Sequence, residues 1–108
     1  MTEYGVVFMT AASREEAEKI AAALVEKKLV ACVNIIADIK SLFWWEGKVC
    51  NEQEVFMMAK TQARLFPQVV EEVKELHSYT VPEIILLPIA NGSADYLQWI
   101  KEETGNIG

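Results

Sequence analysis

The chain is poor in the residues from which most catalytic sites are built. Its 108 residues include one histidine, His77, two cysteines, Cys32 and Cys50, and five scattered glycines. There is no Ser-His-Asp order in a convincing context, no Gly-rich phosphate loop, and no HExxH or CxxC motif. A nucleophile with its base therefore has little to be made from, and no enzyme is expected. The two cysteines are too few for a disulfide framework and lack the spacing of a zinc or redox pair. Basic residues are outnumbered, ten Lys and Arg against sixteen Asp and Glu, for a net charge of −6. No basic run is longer than Lys27-Lys28, so a phosphate backbone would be repelled, and nucleic acid is not an expected partner. Cations are. No apolar run approaches the roughly 20 residues of a bilayer span, and no N-terminal stretch reads as a secretion signal. The expectation is a cytoplasmic chain without membrane contact.

What the chain does have is apolar mass. Hydrophobic residues make up 52%, above the roughly 45–50% usual for soluble proteins, while 24% charged residues argue against disorder. One domain over residues 1–108 is expected, with more apolar surface than a lone small domain hides, which points to self-association.

The pattern of elements is readable. YGVVFM at 4–9 suits a buried strand ended by Thr10-Ala11-Ala12. Ser13 with Glu16 three residues on is a capping-box signal, and Ala17, Ile20, Ala21 and Leu24 follow at helical spacing, predicting a helix to about Lys28. Lys27 and Lys28 would complement the negative end of its dipole. LVACVNIIADIKSLFWW predicts a long strand, bulged near Asp38, and Glu46-Gly47 a tight turn into a returning strand that becomes continuously apolar at 55–59. A second helix is expected from near Ala63, with Pro67 in its first turn and Phe66, Val69, Val70, Val73 and Leu76 on one stripe. VPEIILLPI at 81–89 reads as a strand fenced by Pro82 and Pro88, prolines that mark either an edge or the strand's ends, and Ser93 caps a last helix with Gly105 past its end.

This order of strand, helix, strand, strand, helix, strand and added helix is that of the split βαβ, ferredoxin-like class of α+β folds, with both main helices on one face of an antiparallel sheet. Side chains alternate along a strand, so Trp44 and Trp45 point to opposite faces. Counted back from the turn, Trp45, Phe43, Ile39, Ile35 and Val33 share one face, and Trp44, Leu42, Lys40 and Asp38 the other; a bulge near Asp38 would swap the faces partway along. Either way large apolar groups lie where the two helices cannot reach, and a second copy of the chain is the expected cover. The same register places Cys50 opposite Phe43, with Cys32 eleven positions further, roughly 36 Å at about 3.3 Å per residue, which excludes an intrachain disulfide.

Nearly the whole chain resembles the CutA family of divalent-cation tolerance proteins. The resemblance rests on VVFMTAASREEAEKIAAALVEKKLVACVNII, then SLFWWEGKV, FMMAKT and LHSYTVPEIILLPIANGSADYLQWI in that order and spacing. It implies a ferredoxin-like subunit in a tight homotrimer, similar to the PII signalling proteins, with long hairpins paired across subunits. It also implies a role in tolerance of divalent metal ions, with copper a possible ligand. The family's commonest loop reads His-Pro-Tyr-Glu-x-Pro-Glu; here His77-Ser78-Tyr79-Thr80-Val81-Pro82-Glu83 lacks the inner proline and the first acidic residue.

Candidate metal ligands are His77, Cys32 and Met9, each with a plainer alternative: a helix-end histidine for His77, core packing for Cys32 and Met9. One His77 per subunit becomes three in a trimer. Leu76 beside it has no group to ligate with. Trp45, Lys60, Tyr79, Glu83 and Trp99 stand near the ends of strands and of the last helix, and are candidates for a small-ligand cleft between subunits or for interface packing. Lys60 and Glu83 are also candidates for a structural ion pair. The function expected is thus a metal-responsive homotrimer, or a regulatory trimer binding a small molecule or a protein partner at that cleft.

Overall fold

The computed structural model describes residues 3–105, so Gly108 and the ends of the expected 1–108 domain lie outside the described residues. Four strands form one antiparallel sheet in the order β2-β3-β1-β4: β1 (Tyr4–Ala11), β2 (Cys32–Trp45), β3 (Lys48–Gln62) and β4 (Ile84–Pro88). Helix α1 (Arg14–Glu26) joins β1 to β2, and a 3-10 turn at Ala63–Leu65 leads into α2 (Phe66–Leu76) between β3 and β4. Helix α3 (Ala94–Glu103) follows β4. This is the ferredoxin-like α+β arrangement with the added C-terminal helix.

Ala17, Ile20 and Leu24 of α1 and Val69 and Val73 of α2 are buried with Val7, Met9, Ala11, Val55, Met57 and Ala59 of the sheet in one core. Val33, Ile35, Ile84 and Leu86 pack against it from the outer strands. Both helices thus cover one face of the sheet, and the other starts bare.

Some element limits differ from the sequence reading, each for a local reason. β1 runs on through Thr10 to Ala11, because Thr10 pairs with Phe56 and Ala11 with Val55. α1 stops at Glu26, not Lys28, because Lys28 sits at φ 57. The N–H groups of Lys28 and Leu29 turn back to the carbonyls of Val25 and Leu24, a Schellman closure with Lys where Gly is usual. Leu29 and Val30 belong to this connection and to the core, and β2 begins only at Cys32. Lys27 does not serve the last helical turn alone; its ammonium is 2.8 Å from both carboxylate oxygens of Glu72 on α2. β4 is shorter than expected, with five residues paired to β1 at the sheet edge.

Hairpin β2–β3 turns at Glu46 (φ 51) and Gly47 (φ 78), the two positive φ values of a type I′ turn, with Trp45 opposite Lys48. The ladder shifts between Ile36 and Ile39, where Asp38 lies at φ 64. That bulge swaps the faces: Val33 and Ile35 point to the helices, whereas Ile39, Phe43 and Trp45 fall on the bare face in register with Glu54, Cys50 and Lys48. Beyond the Ala11–Val55 pair the hairpin has no third strand, and the molecule is drawn out to 44 × 28 × 22 Å.

Candidate functional site

The bare face is built by cross-strand rows. Register and alternation align Cys32, Lys60, Val6 and Leu87 in one row, Asn34, Met58, Phe8 and Ile85 in the next, and Ile36, Phe56 and Thr10 in a third. Phe8 and Phe56 meet edge to face at 5.1 Å between centroids. Ile36, Ile85 and Leu87 are 46, 49 and 38% exposed, so large apolar side chains lie open on both outer strands of this face. On the overhanging hairpin Trp44 is 74% exposed and Trp45 43%. Within one chain Trp44 is largely uncovered and Trp45 only partly covered.

The three expected metal ligands stand in different places. Met9 is buried in the core, facing the helices. Cys32 is on the bare face at the far end of the sheet from Thr10: their partners on β3, Lys60 and Phe56, are four residues apart, about 13 Å of strand. Its thiol lies 3.7 Å from the Tyr96 hydroxyl, and burial, then this thiol, raises the pKa of that phenol. The His77 side chain is wholly buried at the Thr10 end. A backbone N–H can only donate, so the contact from Tyr79 N to Nδ1 at 3.0 Å makes Nδ1 the acceptor, and the ring proton sits on Nε2, 2.7 Å from the Thr10 carbonyl. Both ring nitrogens are therefore engaged. An imidazole that ligates a metal needs a free lone pair, and any metal site needs converging donors. His77, Cys32 and Met9 offer neither within one chain, and among the described residues no group of three His, Cys, Asp or Glu is placed to hold an ion.

Around His77 the polar contacts continue. The Tyr79 hydroxyl donates to Glu54 Oε2 at 2.9 Å, and burial followed by that carboxylate pushes the Tyr79 pKa up to about 12. Glu16 accepts from the N–H of Ala12 at 3.0 Å and of Ser78 at 2.9 Å, and its Oε2 is 3.7 Å from His77 Nδ1. Burial would raise the Glu16 pKa; the hydrogen bonds from Ala12 N–H and from the side chain and N–H of Ser78 outweigh it and hold the carboxyl below its ordinary value. The sequence marked Glu16 only as a helix-capping residue. Its second partner lies 62 positions away, beyond any local pattern.

The expected cleft residues fall into three groups. Tyr79 and the exposed Glu83 flank the His77 loop, next to the end of β4. Lys60 and Trp99 belong to the opposite end, where Trp99 lies 5.6 Å from the Tyr96 ring and Tyr96 touches Cys32, the partner of Lys60. Lys60 donates to the side-chain oxygen of Asn34 on the neighbouring strand and does not pair with Glu83. Trp45 is at the hairpin turn, away from both. A hollow of about 560 Å³ between α1 and α2, lined by Glu26, Lys27, Glu71, Glu72 and Glu75 among others, contains none of them.

Comparisons with known proteins agree over nearly the full length. The family model described as CutA1 divalent ion tolerance protein matches residues 5–103. A Thermus thermophilus protein named divalent-cation tolerance protein CutA is 50% identical over 100 residues, covering 93% of this chain and 97% of its own. Among solved structures, CutA1 from Oryza sativa superposes with a TM-score of 0.94 at 40% identity, covering 98% of this chain and 97% of that one. A protein from Archaeoglobus fulgidus, described as a periplasmic divalent cation tolerance protein CutA, gives 0.90 at 50% identity over 93 and 97%.

Proposed function

The chain belongs to the CutA1 divalent ion tolerance family, and from that premise we propose that it is a non-catalytic cytoplasmic protein of divalent-cation tolerance, acting as a homotrimer. Its metal contacts, with copper foremost, are made by the assembly and not by a pocket within one chain. The observation that carries the reading is the family match over residues 5–103. Support for assembly comes from the apolar rows of the bare face and the uncovered hairpin, both of which a second and third copy would bury. The position of Cys32 in a row of that face supports its thiol as the contact the assembly uses, whereas Met9 stays in the core and His77 keeps both its partners. Among the described residues no helix is long and apolar enough to cross a membrane.

Native mass spectra of chelator-stripped protein, repeated with copper at a buffered free concentration, test this reading. Uptake by the trimer in a fixed ratio, reduced by Cys32→Ala and little changed by His77→Ala, is the expected result. A trimer that stays metal-free overturns the metal half of the reading. It would favour the alternative of a regulatory trimer binding a small molecule or partner protein at an inter-subunit cleft. The partly exposed Tyr96–Trp99 pair beside the Cys32–Lys60 row is the observation that favours it.

A further inference from the structure

Residues 77–83, between α2 and β4, carry no regular pairing of their own, yet Ser78 and Tyr79 are tied down by side chains from distant segments and His77 by the Thr10 carbonyl. Ser78 N–H is held by Glu16 Oε1, Tyr79 N–H by His77 Nδ1, and Tyr79 O–H by Glu54 Oε2. Glu16 is the hub. One carboxylate joins the first turn of α1, the β1–α1 connection through Ala12 N–H, and this loop through Ser78 N–H. The outer side of the loop has little apolar anchorage: Ser78, Thr80 and Val81 are exposed, Val81 at 69%. Such a segment opens locally at low cost once its polar ties are cut.

We propose that Glu16 and residues 77–79 form a latch that keeps the chain's one histidine shut. The carboxylate fixes Ser78, the Tyr79 ring lies 4.8 Å from the buried imidazole, and Tyr79 N–H occupies the lone pair of Nδ1. Opening the loop frees that lone pair and exposes the ring. Glu16 is thus a positioning residue that acts on His77 through the loop. The latch depends on the backbone N–H of Ser78, because a proline at position 78 would have no N–H to give. It is independent of the assembly and metal reading above.

Diethyl pyrocarbonate, which acylates a free imidazole nitrogen, reads the latch directly because His77 is the only histidine. In the wild-type protein the ring reacts far more slowly than N-acetylhistidine. Glu16→Ala raises the rate on the order of tenfold, as expected for loss of a charge-assisted hydrogen bond, and the milder Glu16→Gln raises it less. Amide exchange at Ser78 and Tyr79 rises in step, while amides of the β1–β3 ladder keep their protection. In a Ser78→Pro background Glu16→Ala changes the rate by less than about twofold, because the tie it would cut is already gone. The proposal is overturned if the wild-type ring reacts like free imidazole, if neither Glu16 variant speeds the reaction, or if the Glu16 effect is equally large with proline at 78. A Glu16 variant that loses protection throughout the sheet also overturns it, since the carboxylate would then hold the fold and not the loop.

Discussion

At the residue scale, the polar cluster at the Thr10 end of the sheet turns single hydrogen bonds into pH dependence. Tyr79 is a neutral donor to a nearly buried carboxylate, Glu54, which is 6% exposed. Its pKa, pushed up to about 12, exceeds the unfolded value, so its contribution to stability is fully present below the ordinary phenol pKa of about 10. That contribution is lost as pH rises through about 12. Tyr79→Phe should therefore flatten the alkaline fall in stability and, by leaving Glu54 without its donor, cost roughly 1–3 kcal/mol at neutral pH. Urea unfolding followed from neutral to strongly alkaline pH would check both effects; an unchanged alkaline limb would contradict them. Glu16 has the opposite sign: its lowered pKa gives stability above the unfolded carboxyl value that is lost as pH falls through the folded one. Part of this was legible in the sequence. A lone histidine after a helix is easily singled out, but the sequence could not show that Thr10 and Tyr79 claim both its nitrogens, because the Thr10 contact spans 67 positions.

At the element scale, the long patterns were readable and the ends were not. Helical spacing located the apolar stripes of α1 and α2, and Glu46-Gly47 gave the hairpin turn and hence the pairing of Trp45 with Lys48. The end of α1 escaped, because two lysines look like a last helical turn when one of them is in fact the left-handed closing residue. That position offers a test. Lys28→Gly removes the cost of a side chain at φ 57 and forfeits only the exposed Lys28–Glu103 contact at 3.7 Å, a pair of little worth. It should stabilise the protein by about 1 kcal/mol, seen as a rise in Tm. A fall in Tm would mean that the Lys28 ammonium matters more than its backbone strain. The bulge was placed near Asp38 by sequence and is found between Ile36 and Ile39, and only the coordinates settle which way it turns Ile39, Phe43 and Trp45.

At the scale of the whole molecule, the sequence carried a further message in its composition. A chain with 52% hydrophobic residues and a net charge of −6 folds into a sheet with one face covered by its helices, leaving Phe8, Ile36, Phe56, Ile85 and Leu87 on the other. A two-stranded ribbon such as the hairpin beyond Ala11 is marginal in water unless something rests against it. Exposed Leu42, Trp44 and Val49 on one side of the ribbon and Trp45 on the other give a partner two surfaces to grip. What no sequence pattern could place was a binding site, since the candidate ligands Met9, Cys32 and His77 lie apart and converge on no common point within one chain, and only Tyr79 and Lys60 of the cleft residues stand beside one of them. Assembly is the property on which the rest depends, and sedimentation equilibrium of the metal-free protein reads it: a homotrimer gives a single species at three times the 12.2 kDa chain mass, persisting on dilution. A folded, soluble species at 12.2 kDa would contradict it.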